Sequence, residues 1–127
     1  MKTRHFRDLL VWQKSMALAS SIYTLTDRFP KREVFGLSAQ MRRCAVSVPS
    51  NIAEGHGRLS DRNLAVFPGH ARGSLFELES QTELAIRLGF ADAAVGREVL
   101  VHINEVARML NAFLAKVQCN GSTAAGI

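Results

Sequence analysis

The sequence predicts an all-α protein, an up-down-up-down antiparallel four-helix bundle assembled as a ring. Apolar residues recur at spacings of three and four along four successive stretches. Breaks at Phe29-Pro30, Gly55-His56-Gly57 and Leu88-Gly89 separate those stretches, and no alternating strand pattern competes with them. At 127 residues the chain is one domain's worth, long enough to bury a core without disulfides. Short connections between four amphipathic helices then favour antiparallel neighbours.

The first helix is expected from Asp8 to Arg28, with Leu9, Trp12, Met16, Ala19, Tyr23 and Thr26 as its core stripe. Phe29-Pro30 stops it, because proline lacks a donor and restricts the residue before it. The second runs from Ser38 to Glu54 on Leu37, Met41, Ala45, Val48 and Ile52, with a kink expected at Pro49. The third follows Ser60, an N-cap candidate, along Leu64, Phe67, Ala71, Leu75, Leu78, Ala85 and Leu88. Pro68-Gly69 interrupts its first third, so it either kinks there or starts close to Pro68. The fourth is the most regular, on Val95, Val99, Ile103, Val106, Leu110, Phe113 and Val117. The bundle domain is thus residues 1–118, and the small, polar stretch 119–127 reads as a flexible tail.

Hydrophobic residues make up 47% and charged residues 21%, which excludes a disordered tail. No run of 18 apolar residues exists, so no membrane partner is expected. Gln13, Lys14 and Ser15 interrupt the first apolar run too early for a signal peptide. Cys44 and Cys119 share no metal or redox spacing, which fits a reducing, cytoplasmic compartment. None of the glutamates has a His three residues on, as a di-iron bundle would need. Zinc-type spacings, a Walker lysine and a Gly-x-Ser-x-Gly nucleophile are also missing. The expectation is no enzyme, no metal and no cofactor.

Charge is the more informative signal. The net charge is +5, and it is unevenly spread: +2 over residues 1–27, +5 over 28–72 and −2 over 73–127. Bundle topology places the start of the first helix, the connection between the second and third, and the end of the fourth at one pole. Lys2, Arg4, Arg7, Arg58, Arg62 and Lys116 then stand against Asp8, Glu54 and Asp61, a net of +3. The opposite pole, with Arg28, Lys31, Arg32, Arg87 and Arg97 against four carboxylates, reaches only +1. Arg4, Arg7, Arg58, Arg62 and Lys116 are therefore the candidate nucleic-acid-binding residues, acting on backbone phosphates. The alternative is that these cations merely keep a small domain soluble.

A second candidate is a polar row on the second helix, where Gln40, Arg43, Ser47, Asn51 and Glu54 lie beside the apolar stripe. Ser74, Glu77 and Gln81 form a similar line on the third helix. These rows read either as solvated flanks or as a partly buried seam, for example Arg43 against Glu77. Arg42 is expected to point away from both. Leu10, Val11, Leu18, Leu25, Phe76, Leu100 and Leu114 fall off the main stripes, and exposed apolar surface of that kind marks an interface. A homo-oligomer is therefore expected.

The run Ser47-Val48-Pro49-Ser50-Asn51-Ile52-Ala53-Glu54-Gly55 resembles the signature of a bacterial four-helix-bundle family. That family is named for proteins encoded in intervening sequences of 23S rRNA genes, and is also labelled ribosomal protein S23. Further blocks agree: Phe6-Arg7-Asp8-Leu9 with Val11-Trp12-Gln13-Lys14, Phe29-Pro30 with Phe35-Gly36-Leu37, and Gln40-Met41-Arg42-Arg43. Another is Ala71-Arg72-Gly73-Ser74-Leu75-Phe76-Glu77-Leu78 with Gln81. Pro68 departs from the family, which has an apolar residue there. The resemblance implies a compact bundle assembled as a pentamer. It also implies kinship with the accessory variability determinant of diversity-generating retroelements, which works with a reverse transcriptase and nucleic acid. It favours a structural or interface role for Arg43, Asn51, Glu54 and Glu77. The leading expectation is a non-enzymatic, oligomeric protein binding RNA or RNA–DNA through phosphates. The alternative is an adaptor that docks a partner enzyme such as a reverse transcriptase.

Overall fold

Local chemistry caps the starts of the second and fourth helices and the end of the third. The computed structural model describes residues 5–57 and 66–126, with side chains described through residue 116. A 3-10 turn over Phe6–Asp8 leads into α1 (Leu10–Thr26), and a second over Lys31–Glu33 precedes α2 (Leu37–Gly57). Helices α3 (Val66–Arg87) and α4 (Ala93–Gly126) complete the fold, with no strand among the described residues. The Glu33 carboxylate accepts the Leu37 N–H at 3.1 Å, which caps α2. Asp92 Oδ2 accepts the Val95 N–H at 3.2 Å and caps α4. Gly89 takes φ +73, a left-handed conformation that glycine adopts without strain. The Phe90 N–H then returns to the Ala85 carbonyl and closes the end of α3.

Pro68 is the third described residue of α3 and is buried. Residues 58–65, with the N-cap candidate Ser60 and with Leu64, lie outside the described residues, and α3 is continuous from Val66 through Pro68 and Gly69. Pro49 sits within a continuous α2 and is itself buried. The α4 backbone is helical to Gly126, through the stretch that reads as a tail from 119 in the sequence. An α-helix satisfies its own backbone bonds and can run on in that way without a packed neighbour.

Every helix packs on the one before and the one after it, and α4 closes against α1. Partners step down one helix as they step up the next: Cys44 meets Glu77 and Ser47 meets Ser74, while Arg97 meets Glu83 and Arg72 meets Asn111. That is an antiparallel four-helix bundle. Met41, Val48 and Ile52 of α2, Leu75 and Leu78 of α3, and Ile103, Val106 and Leu110 of α4 are fully buried, as their periodicity requires. Burial of a Leu, Ile or Val side chain contributes about 1.5–3 kcal/mol, so this layer dominates stability.

Helix α1 turns a different face inward than its sequence suggests. Ala19 and Thr26 of the expected stripe are buried, but the other buried residues are Val11, Ser15, Leu18, Ile22 and Leu25, whereas Met16 is 45% and Tyr23 43% exposed. The core face is rotated by roughly a quarter-turn from the expected stripe. Two apolar stripes of equal period coexist on this helix, and the aliphatic one fits the interior. Val11, Leu18, Leu25, Leu100 and Leu114 consequently belong to the core rather than to surplus surface. Of that group only Leu10 and Phe76 are exposed, at 57% and 56%.

Candidate functional site

Polar side chains occupy both flanks of α2, and side-chain size decides how each flank is used. On the α3 side the residues are small. A Cβ on Gly55 would come within 2.8 Å of the Pro68 ring, so the two helices approach closely there. Farther along, the Ser47 and Ser74 hydroxyls meet directly, and the Asn51 amide donates to the Ser47 carbonyl at 2.8 Å. The Cys44 thiol donates to Glu77 Oε2 at 3.4 Å. Burial pushes that thiol above its ordinary pKa, and the hydrogen bond and charge of Glu77 push it further; the Gln81 amide and Arg43 act in the opposite sense. The Gln81 carbonyl oxygen is buried without a hydrogen-bond partner.

The α2–α3 row is thus partly closed. Ser47, Asn51, Ser74 and Gln81 are half-buried along it, while Gln40, Arg43, Glu54 and Glu77 are exposed. Among the described residues Arg43 and Glu77 form no ion pair; the contact to Glu77 comes from Cys44 instead.

On the α1 side of α2 a single long side chain spans the gap. Arg42 donates from Nε to Thr26 Oγ1 at 2.8 Å and pairs with Asp27 Oδ1 at 2.6 Å. Its guanidinium lies 4.5 Å from the Tyr23 ring centre, a cation–π contact. Arg42 therefore clamps the end of α1 to α2, contrary to the outward orientation read from the sequence. Beyond the clamp the flank is open. Phe6, Trp12, Met16, Ala19, Ser20 and Tyr23 face Val46, Pro49, Ser50 and Ala53 across a groove of about 560 Å³.

The basic pole follows from the antiparallel order. Lys14 of α1 pairs with Glu105 of α4 at 3.6 Å, so Arg7 and Lys116, farther out on each, lie toward the same end. Gly57 and Val66, the described residues on either side of segment 58–65, lie at that end, next to the Gly55–Pro68 contact. Arg7 and Lys116 are both exposed, and the Arg7 guanidinium lies 6.0 Å from the Phe6 ring centre. Arg4, Arg58 and Arg62 lie outside the described residues. At the opposite end cations are partly engaged: Arg97 pairs with Glu83 at 2.8 Å, and Arg32 sits 5.6 Å from the Phe90 ring centre. No group of three metal-ligating side chains occurs among the described residues, and none of their helices is long and apolar enough to cross a membrane.

The model of the 23S rRNA-intervening sequence protein family matches residues 7–112. The chain belongs to that family. A similar solved structure is a protein of unknown function from the S23 ribosomal protein family of Bacteroides thetaiotaomicron VPI-5482. It superposes with a TM-score of 0.77 at 22% identity, over 84% of this chain and 96% of that one. At that identity the likeness establishes the shared bundle fold alone. No curated protein matches the chain. The matched span takes in both flanks of α2 together with Arg7, and it stops short of Lys116.

Proposed function

We propose that this member of the intervening-sequence family is a non-enzymatic, cytoplasmic homo-oligomer, a pentamer, that binds RNA or RNA–DNA intermediates through backbone phosphates. The carrying observation is the convergence of Arg7, Lys116 and both ends of the α2–α3 connection on one end of the bundle. In sequence that connection contributes Arg58 and Arg62. Phosphates displace condensed counterions when they meet such a surface, so affinity falls steeply with salt. Assembly multiplies the effect, because linked copies raise the effective concentration of each site.

Filter binding of a structured RNA across a salt series, with light scattering on the same preparation, tests the proposal. The expected result is an oligomer whose RNA affinity falls linearly in log–log coordinates as salt rises. A monomer, or binding indifferent to salt, contradicts it. A partner protein captured at high salt with no RNA affinity would point instead to an adaptor.

A further inference from the structure

Two surfaces on different sides of the bundle carry exposed apolar side chains. One is the α1–α2 groove, where Met16 and Val46 are exposed and no charged side chain is among the described residues of the lining. The other is the outer face of α3, opposite its buried Ala71, Leu75 and Leu78. There Val66 and Phe76 are exposed, with Gly69 and Gly73 between them. Glycine is the poorest helix former after proline, so a glycine within a helix calls for a close neighbour. Gly55 and Gly96 have one, since an added Cβ would come within 2.8 Å of Pro68 and 2.6 Å of Ile86. At Gly69 and Gly73 it would meet nothing within 4 Å, so their packing reason lies outside the single chain. The two surfaces also stand at one level. Cys44 meets Glu77 and Gly55 faces Pro68, so α2 residues 44–55 run alongside α3 residues 68–77. The α2 wall of the groove, residues 46–53, and the α3 face at 69–76 both fall inside that interval. Each spans seven residue steps, about 10 Å at helical rise.

We infer that the outer face of α3 in one copy seats in the α1–α2 groove of the next, with Phe76 as the anchor and Gly73 bringing the helix backbone close. This rests on the homo-oligomer of the proposed function and names the surfaces that join its copies. Identical copies cover both surfaces at once, whereas a foreign partner would cover one and leave the other bare. Val66, Gly69, Gly73, Phe76 and the groove lining are all uncharged, as the core of a protein interface is, and they offer a phosphate no cation. Arg72, beside this face, reaches instead toward α4, where it meets Asn111 at 3.5 Å. Because the two surfaces differ, the contact is head-to-tail. Their common level lets successive copies turn without rising, which closes a ring instead of extending a filament.

The test follows the full chain through a dilution series by light scattering and by the emission of Trp12, which lines the groove and is the only tryptophan. The expected result is an oligomer whose emission shifts to the red as dilution uncovers the groove. Gly73→Leu fills space that is open in the single chain, so it should preserve helical content while raising the dissociation midpoint at least about tenfold. Phe76→Ala should raise it about thirtyfold, the loss typical of an interface anchor. Oxidation of a chain carrying Ser50→Cys and Gly73→Cys should join those two positions of different copies, as read by peptide mass spectrometry. An oligomer that Gly73→Leu and Phe76→Ala leave intact overturns the inference while sparing assembly. Dissociation by both variants with Trp12 emission unmoved means that α3 meets another surface, and overturns the groove as its seat. A wild-type chain that is monomeric throughout contradicts both the inference and the proposed oligomer.

Discussion

The two flanks of α2 use polar residues in opposite ways. Toward α3, glycine, serine and cysteine allow close approach, and short side chains satisfy one another across the seam. Toward α1, tryptophan, methionine and tyrosine hold the helices apart, and one arginine reaches over the gap beside an open groove. Adjacent residues show the contrast most clearly. Arg42 carries three kinds of interaction with α1, whereas Arg43 is exposed and forms no ion pair among the described residues. Whether a polar row becomes structure or accessible surface is thus set by the bulk of its neighbours.

The comparison can be broken most severely at the closed flank. Gly55→Val forces a branched side chain against the rigid Pro68 ring and should cost about 3 kcal/mol, read from denaturant melts. A negligible change would mean that α2 and α3 are not locked there. Next comes the arginine pair. Arg42→Ala removes the hydrogen bond to Thr26 and the Asp27 and Tyr23 contacts, and should destabilise by about 1–2 kcal/mol. Arg43→Ala should cost under about 0.5 kcal/mol in the same melts. Equal effects would erase the distinction between the flanks.

A gentler probe sharpens the closed flank without unfolding it. Burial and Glu77 hold the Cys44 thiol above its usual pKa, so the thiolate is scarce at mildly alkaline pH. Glu77→Gln removes the negative charge, which lowers the Cys44 pKa and raises the thiolate fraction. Alkylation of Cys44 at pH 8, followed by peptide mass spectrometry that separates it from Cys119, should therefore accelerate in the variant. An unchanged rate would mean that Glu77 does not govern the thiol.

These flanks also mark how far the sequence could be read. The α2 stripe was legible because its apolar residues occupy one side only, and Met41, Ala45, Val48 and Ile52 are all buried. The α3 stripe was legible in the same way, with Ala71, Leu75, Leu78 and Ala85 all buried. In α1 the same logic misplaced the core, since apolar side chains surround most of the helix and periodicity alone cannot choose among them. Arg42 and Arg43 were exchanged in role for a related reason. Hydropathy shows which side of α2 faces inward, but the order of helices around the core decides which polar flank meets α1 and which meets α3. Arg7 and Lys116 could be assigned to one end from connectivity alone, because short connections oblige neighbours to run antiparallel. The aromatic groove depends on the rotation of α1 and had no such signal.

The phosphate-binding pole is tested most directly by setting one end of the bundle against the other. RNA affinity is measured by filter binding across salt for Arg58→Ala with Arg62→Ala, and for Arg28→Ala with Lys31→Ala. The first pair should weaken binding and reduce the salt slope by roughly one to two units with assembly unchanged, while the second pair has the smaller effect. Equal losses at both ends, or no loss at either, would contradict a phosphate-binding pole.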